Sequence, residues 1–278
     1  MPKSIGFFTD TTLCIGCKAC QVACRQWNDP TADTGSIEFE LKPLTGDSYD
    51  NTGSFSDVNW RHVKFIEQFN EDRSEAAWLM MSDVCKHCVD APCMDVCPTD
   101  AILRTEFDTV YINESACNGC RDCISACPFG VIHMSGSKNV AQKCTFCYDR
   151  LKVGLTPACA QACPTQSIQF GPLDKLKKDA NVRLKQLQSA GEDSARLYGA
   201  DDEVLGGLNS FYLLMDEPEV YGLPSSAKVP SRSVPFSSLW SILTAIVTAL
   251  GFLFAFRERR TTGSTSDSKS PSTEKPPL

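Results

Sequence analysis

The sequence lacks the features that mark nucleotide chemistry and nucleic-acid binding. It contains neither a G-x-G-x-x-G nor a G-x-x-x-x-G-K-[ST] motif, the two glycine-rich loops that cradle phosphates. The formal net charge is −7, and no block of Lys and Arg precedes the far C-terminus. A nucleic-acid-binding surface would need such a block. We therefore expect neither a nucleotide nor a nucleic acid as a ligand of this chain.

Histidine is scarce and cysteine is confined to one part of the chain. The three histidines are His62, His87 and His133, and none lies in the hydrophobic segment near the C-terminus. That segment therefore supplies no histidine to a haem. The last 115 residues contain no cysteine, whereas the preceding part contains 16. Residues 1–12 have one Lys, no long apolar run and no twin-arginine pair, so no secretory signal is expected there.

One long uncharged run is present, at residues 236–256. A helix of these 21 residues would be about 30 Å long, which matches the hydrocarbon core of a bilayer. A buried core helix is the alternative, but such a helix would normally carry a polar stripe, and this run has only scattered Ser and Thr. We predict a transmembrane helix over 236–256, followed by a disordered tail over 257–278 that is rich in Ser, Thr, Pro and Lys.

Two further segments contain no cysteine. Residues 28–81 form an insertion with Gly, Asp, Ser and Asn turns and strand-like runs at 36–41 and 62–69. Residues 172–235 form a connector, in which the spacing of leucines predicts a surface helix over 173–190. A short strand over 211–215 is also expected, and four prolines after it indicate an extended stretch towards the hydrophobic run.

The 16 cysteines form four groups of four. Group I is Cys14, Cys17, Cys20 and Cys24; group II is Cys85, Cys88, Cys93 and Cys97; group III is Cys117, Cys120, Cys123 and Cys127; group IV is Cys144, Cys147, Cys159 and Cys163. Groups I and III follow the C-x2-C-x2-C-x3-C pattern, and groups II and IV carry insertions between the second and third cysteines. Proline follows the last cysteine of groups II, III and IV, whereas Arg25 follows Cys24.

The groups also form an internal repeat. Apolar runs at 5–8, 78–81 and 110–112 precede groups I, II and III, so each unit reads as strand, cysteine loop, short helix, Cys-Pro and strand. This is the half-unit of a bacterial two-cluster ferredoxin. We therefore predict an α+β fold with two ferredoxin-like modules in pseudo-symmetric tandem, a β-rich insertion and one transmembrane helix. Module 1 comprises residues 1–27 and 140–171, and module 2 comprises residues 82–139.

This spacing favours [4Fe–4S] clusters as the metal centres. Each of the four irons of the cube needs one thiolate, and in two-cluster ferredoxins the fourth cysteine of each run serves the other cluster. Adjacency pairs group II with group III and leaves group I with group IV. The predicted ligand sets are Cys14, Cys17, Cys20 and Cys163; Cys24, Cys144, Cys147 and Cys159; Cys85, Cys88, Cys93 and Cys127; and Cys97, Cys117, Cys120 and Cys123.

Two other uses of cysteine fit less well. Disulfides between cysteines two or three residues apart would close tiny loops and stabilise little. A structural zinc site uses two C-x2-C pairs, which group IV alone resembles but groups I and III do not. His87, between two cysteines, and His133, just beyond a Cys-Pro turn, are expected to pack or to hydrogen-bond cluster sulfur rather than to ligate iron, because the cysteines complete the ligand count.

The cysteine pattern over 14–163 resembles the four-cluster ferredoxin-like subunits of membrane-bound molybdenum or tungsten oxidoreductases. Within them, the segment from Gly6 to Cys20, the run Trp27-Asn28-Asp29, the run Tyr221-Gly222-Leu223-Pro224 and the single C-terminal span look like the beta subunit of respiratory formate dehydrogenase. The resemblance implies a chain without catalytic residues of its own. It would carry electrons through four [4Fe–4S] clusters, from a molybdopterin or tungstopterin catalytic subunit that oxidises formate to a cytochrome b-type membrane subunit that reduces quinone.

Alternatives to this function keep the iron–sulfur chemistry. The chain would have the same role in a sulfur- or selenium-oxyanion or dimethyl-sulfoxide-type reductase or in a hydrogenase, or it would be a stand-alone ferredoxin. The hydrophobic span and the insertion argue against the last of these. More basic residues follow the span than precede it, which predicts a single-pass membrane protein with a cytoplasmic C-terminus and an extracytoplasmic cluster domain.

Overall fold

The computed structural model describes residues 4–28, 49–50, 52–70, 72, 74, 76–229 and 234–262. The chain divides into two compact units, Met1–Val229 and Pro230–Leu278. The first unit mixes strands with short helices and contains every cysteine, and the second contains one long helix. This content confirms the predicted α+β class.

The regular elements of the first unit are short, apart from one hairpin and one helix. The strands are β1 Ile5–Asp10, β2 Arg61–Phe69, β3 Ala76–Val84, β4 Ile102–Arg104, β5 Val110–Ile112, β6 His133–Met134, β7 Ala141–Gln142, β8 Ile168–Pro172, β9 Arg196–Tyr198 and β10 Ser210–Leu214. The α-helices are α1 Ala19–Asn28, α2 Pro92–Asp95, α3 Asp122–Ala126, α4 Tyr148–Lys152, α5 Ala158–Gln161 and α6 Leu173–Ser189. Single 3-10 turns occupy Thr11–Leu13 and Pro218–Tyr221.

Most of the predicted local structure is confirmed. The strands expected at 5–8, 62–69, 78–81, 110–112 and 211–215 correspond to β1, β2, β3, β5 and β10, and the helix expected over 173–190 is α6. Helix α6 turns Leu173, Leu176 and Ala180 into the core, and it exposes the charged residues Asp174, Lys175, Lys178 and Lys185. The strand expected over 36–41 lies outside the described residues.

A four-stranded sheet organises the first unit, in the order β8-β1-β10-β9. Strand β1 is antiparallel to β8 and parallel to β10, and β10 is antiparallel to β9. Every residue of β10 is buried, as expected for an interior strand that is covered on both faces. The segment predicted as a connector therefore also supplies two strands of the sheet that joins the ends of module 1.

The insertion contributes a long antiparallel hairpin, in which β2 pairs with β3 from Arg61↔Val84 to Phe69↔Ala76. Its body-facing end is buried and its far end is exposed. Lys64 Nζ donates to the Tyr221 carbonyl oxygen at 2.8 Å, and Gln68 Nε2 donates to Asp216 Oδ2 at 2.9 Å. These contacts fix the hairpin against the segment that follows β10.

Aromatic side chains fill the core beside the cysteine loops. Phe7 of β1 stacks on Phe146 with ring centroids 4.1 Å apart, and Phe8 stacks on Phe211 at 5.3 Å. All four side chains are at most 1 % exposed. Burying each of them contributes about 1.5–3 kcal/mol. Because Phe146 lies between Cys144 and Cys147, this packing also fixes the group IV loop.

The second unit is helix α7, Val234–Thr262. Its segment Leu239–Glu258 is long and apolar enough to cross a membrane, with a mean hydropathy of 2.1, and its side chains are exposed. The helix continues beyond the predicted span through residues 257–262, where Arg and Glu are good helix formers. The rest of the predicted tail lies outside the described residues.

Candidate metal centres

The four cysteine loops share a backbone conformation. The residue before the second cysteine of each group has a positive φ: Gly16 at 65°, His87 at 45°, Gly119 at 75° and Phe146 at 61°. A positive φ is uncommon and costly for residues other than glycine. A side chain would not fit at Gly16, where a Cβ would lie 2.6 Å from Phe65 Cε1. The recurrence of this conformation indicates that all four loops curl in the same way.

The backbone also turns in the same way after the last cysteine of three groups. Helices α2, α3 and α5 end just before Cys97, Cys127 and Cys163, and the third residue after each of these cysteines has a positive φ of 51°, 60° and 54°. Group I is different, because α1 continues past Cys24 to Asn28. With Arg25 in place of proline, the backbone N–H of the helix is retained and no turn forms there.

Site 1, defined as Cys14, Cys17, Cys20 and Cys163, is a pocket that joins group I to the end of group IV. These four side chains line it together with Val63 and Ser82, among others. Burial raises the pKa of the Cys20 thiol to about 11. Ser82 Oγ lies 3.1 Å from Cys20 Sγ, close enough for a hydrogen bond.

Site 2, defined as Cys24, Cys144, Cys147 and Cys159, is buried in the interior. Each of these four residues is 4–6 % exposed. Burial raises the pKa of the Cys24 thiol well above its ordinary value, and the thiolates of the other three add to the increase. Cys24 of group I therefore lies near the three cysteines of group IV.

Site 3, defined as Cys85, Cys88, Cys93 and Cys127, is again a single pocket, which Lys86 and His87 also line. Burial raises the pKa of the Cys93 thiol to about 12. This pocket joins the first three cysteines of group II to the last cysteine of group III.

Site 4, defined as Cys97, Cys117, Cys120 and Cys123, lies nearer the surface. Burial raises the pKa of Cys123 to about 11, and the thiolates of Cys117, Cys120 and Cys97 add to it. Burial also opposes ionisation of Cys97, but backbone N–H groups of Thr99 and Ile102 outweigh it and lower the pKa of Cys97. Such N–H groups stabilise a thiolate, the form that binds iron.

The donor set fits iron–sulfur clusters. All 16 cysteines lie within the described residues and none is in a disulfide. Over the described ranges, no three His, Cys, Asp or Glu side chains come close enough to hold a single metal ion. Each site offers four thiols, and a [4Fe–4S] cube takes one thiolate at each of its four irons.

His87 lines the pocket of site 3. Its Nδ1 accepts a hydrogen bond from the Val110 N–H at 3.0 Å, whereas its buried Nε2 has no partner. Burial, with the charges of Lys143 and Arg104, holds the pKa of His87 well below its ordinary value, so the ring is neutral. Nε2 then carries the proton and is an unpaired donor on a residue that lines the site 3 pocket.

The other two histidines have nearby oxygen partners. His62 Nε2 lies 3.1 Å from Asp50 Oδ2, and His133 Nε2 lies 3.2 Å from the Gly130 carbonyl oxygen.

Sequence reasoning missed three buried cations beside the cysteines: Arg61, Lys86 and Lys143, each at most 2 % exposed. Lys86 pairs with Asp83, which also accepts Lys64 Nζ at 2.9 Å. Lys143 Nζ donates to the carbonyl oxygens of Val110 and Cys144. Lys86 and Lys143 follow and precede Cys85 and Cys144 directly in the sequence. This adjacency could have predicted that both lysines lie beside a metal site. Nothing in the sequence marked Arg61, which lies far from any cysteine along the chain.

Comparison with known proteins supports iron–sulfur clusters as the groups that these cysteines bind. Two family models, each described as a 4Fe-4S dicluster domain, match residues 13–101 and 76–173. The formate dehydrogenase-O iron-sulfur subunit of Escherichia coli is 36 % identical over 90 % of this chain and 81 % of its own length. The formate dehydrogenase iron-sulfur subunit of Haemophilus influenzae is 38 % identical over 79 % of this chain and 68 % of its own length.

The protein belongs to the family of formate dehydrogenase iron–sulfur subunits. Its two dicluster domains give four [4Fe–4S] clusters, and its role is electron transfer rather than catalysis. A more distant relative, the B subunit of the anaerobic dimethyl sulfoxide reductase of Escherichia coli, is 35 % identical over 64 % of this chain and 78 % of its own length.

Proposed function

We propose that sites 1 to 4 are the four cluster-binding sites, each completed by a cysteine from a second group. The observation that carries this proposal is the mixed lining of the pockets. Cys163 of group IV joins three cysteines of group I in site 1, and Cys127 of group III joins three of group II in site 3. When bound, the clusters supply the one-electron redox chemistry.

The four sites are arranged in series. The thiolate of Cys159 in site 2 contributes to the raised pKa of Cys20 in site 1, after burial. In the same way, the thiolate of Cys85 in site 3 contributes to the raised pKa of Cys144 in site 2. The thiolate of Cys123 in site 4 contributes to the raised pKa of Cys93 in site 3. Cys17 and Cys120, at the two ends of this series, are exposed. This order supports one path through the chain with an end for each redox partner.

We infer that the partner at site 1 is a molybdopterin or tungstopterin subunit that oxidises formate, and that the partner at site 4 is a cytochrome b-type membrane subunit that reduces quinone. The formate dehydrogenase relatives match more of this chain than the dimethyl sulfoxide reductase relative does, which favours formate as the substrate. The candidate span Leu239–Glu258 supports a membrane partner and contact with lipid.

Purification of the native complex tests these partners. We expect molybdenum or tungsten, haem b and formate-dependent dye reduction to copurify with this chain. Nickel in the complex, or activity only with a sulfur oxyanion, would contradict the proposal and favour a hydrogenase or a reductase.

We also propose that the C-terminus is cytoplasmic and that the cluster domain lies on the opposite side, because Arg257, Arg259 and Arg260 follow the span. A protease added to intact spheroplasts should then cleave the cluster domain. Cleavage only in inverted vesicles would show the reverse orientation.

A further inference from the structure

Arg61 places a buried guanidinium beside two of the cysteine sites. It lies at the start of β2 and is 1 % exposed. Its Nη1 donates to Ser82 Oγ at 2.9 Å, and its Cζ lies 5.1 Å from the centre of the Phe7 ring. Its Nε and Nη2 are buried and have no hydrogen-bond partner. Unsatisfied buried donors are costly and rare in folded proteins.

The groups around Arg61 belong to both sites of module 1. Its partner Ser82 contacts Cys20 of site 1, and the Phe7 ring beside its guanidinium stacks on Phe146, which lies between two cysteines of site 2. Burial opposes its positive charge, but the thiolates of Cys159, Cys20 and Cys144 outweigh burial and raise the pKa of Arg61, so it stays charged. Cys20 is in site 1, and Cys159 and Cys144 are in site 2. In the part of the chain that the structure describes, no carboxylate lies within ion-pair distance of Arg61.

Ser82 connects this charge to site 1 alone. Its Oγ accepts a hydrogen bond from Arg61 Nη1 and lies 3.1 Å from Cys20 Sγ. Because Oγ is the acceptor in the first contact, its own proton is available for donation to the sulfur in the second. The result is a relay from guanidinium to hydroxyl to thiolate.

The buried cation beside site 3 is different. Lys86 is 0 % exposed, but its ammonium group is partly neutralised by Asp83, a carboxylate that also pairs with Lys64. A neutralised charge changes the local potential less than an unpaired one at a similar distance. Of the two buried cations Arg61 and Lys86, Arg61 is thus the one whose charge is not paired with a carboxylate. Its unpaired N–H groups are also available to interact with the clusters.

We propose that Arg61 is a positioning residue that raises the reduction potentials of the clusters in sites 1 and 2, and that Ser82 adds to this effect at site 1 only. A positive charge favours the more negative, reduced form of a cluster, and hydrogen bonds to its sulfurs act in the same direction. The inference rests on the ligand sets proposed above.

Redox titration of the purified complex, followed by electron paramagnetic resonance, tests the proposal. We expect Arg61→Gln to lower the midpoint potentials of two of the four clusters and to leave the other two unchanged. Arg61→Lys, which keeps the charge, should stay closer to wild type. Lys175→Gln removes an exposed charge that pairs with Asp179, and it is the control for net charge.

Ser82→Ala is the milder variant and decides the outcome if Arg61→Gln fails to assemble its clusters. It should lower the potential of one cluster only, the one that Cys20→Ser also alters. The proposal is overturned if Arg61→Gln keeps its full iron content and shifts no potential, if it shifts all four equally, or if Ser82→Ala shifts none.

The ligand sets are checked separately. Cys20→Ser and Cys159→Ser should perturb different signals, because they belong to sites 1 and 2. If both perturb the same signal, the ligand sets are wrong even where Arg61→Gln shifts a potential. If they perturb different signals and Arg61→Gln shifts neither, the ligand sets stand and the role of Arg61 does not.

Discussion

The middle and the ends of the cysteine series differ in their contact with solvent. All four cysteines of site 2 are at most 6 % exposed, whereas Cys17 in site 1 and Cys120 in site 4 are exposed. A redox partner can approach the end sites but not the buried one. The fold thus shields site 2 from solvent and leaves Cys17 and Cys120 of the end sites accessible to other subunits.

The largest expected effect comes from breaking the buried middle. Cys159→Ser should abolish electron transfer from formate to quinone while formate-dependent dye reduction at the catalytic subunit persists. Iron should fall from about 16 to about 12 atoms per chain if the cluster is lost. Lys175→Gln should change neither activity nor iron. If Cys159→Ser contains less iron but still reduces quinone at the full rate, site 2 is not on the electron-transfer path.

The clusters at the end sites should be lost to reagents in solvent faster than the cluster at site 2. During slow treatment with an oxidant and an iron chelator, the clusters at sites 1 and 4 should be lost before the cluster at site 2, because Cys17 and Cys120 are exposed. The order of loss can be followed by the individual resonance signals. Simultaneous loss of all four would indicate that global unfolding, not exposure, sets the rate.

The contrast between buried and exposed positions also applies to ion pairs. Asp83→Asn leaves Lys86 buried without a carboxylate and should destabilise the protein by about 3–5 kcal/mol. Asp179→Asn breaks the exposed pair with Lys175 and should cost at most about 0.5 kcal/mol. Guanidinium unfolding of the cluster-loaded protein measures both. Equal effects would show that Asp83 is not buried in solution.

Helix α1 links an end site to the middle, because it carries Cys20 and Cys24. Arg25→Pro would place proline inside this helix, remove a backbone donor and clash with the carbonyl of Gln21. We expect the Arg25→Pro variant to lose about 3 kcal/mol in its free energy of unfolding. Arg25→Ala, which keeps the backbone N–H, is the matched control. If proline is tolerated as well as alanine, group I ends its helix at Cys24 as the other groups do.

Much of this arrangement follows from local sequence. Cysteine spacing and the repeated Cys-Pro turn locate the four loops, and apolar runs locate β1, β3 and β5, because these signals act over a few residues. The role of β10 in the sheet was not predictable, since its partner β1 is about two hundred residues away and only tertiary packing brings them together.

The residues that surround the sites were equally difficult to predict from the sequence. Arg61 lies in a strand, where alternation alone does not say whether a side chain faces solvent or core. Its burial results from the packing of the hairpin, whose Val63 and Ser82 line site 1. His87 was expected to pack or to hydrogen-bond cluster sulfur because it lies between two cysteines. Its bond to Val110, which sets the tautomer, depends on a contact between residues 23 apart.

The central claim is that each cluster takes its fourth thiolate from a different cysteine group. A crystal structure of the cluster-loaded protein, with iron located by anomalous scattering, tests it most directly. We expect Cys163 on the cube of Cys14, Cys17 and Cys20, and Cys127 on the cube of Cys85, Cys88 and Cys93. Any cube held by the four cysteines of one group would contradict the account.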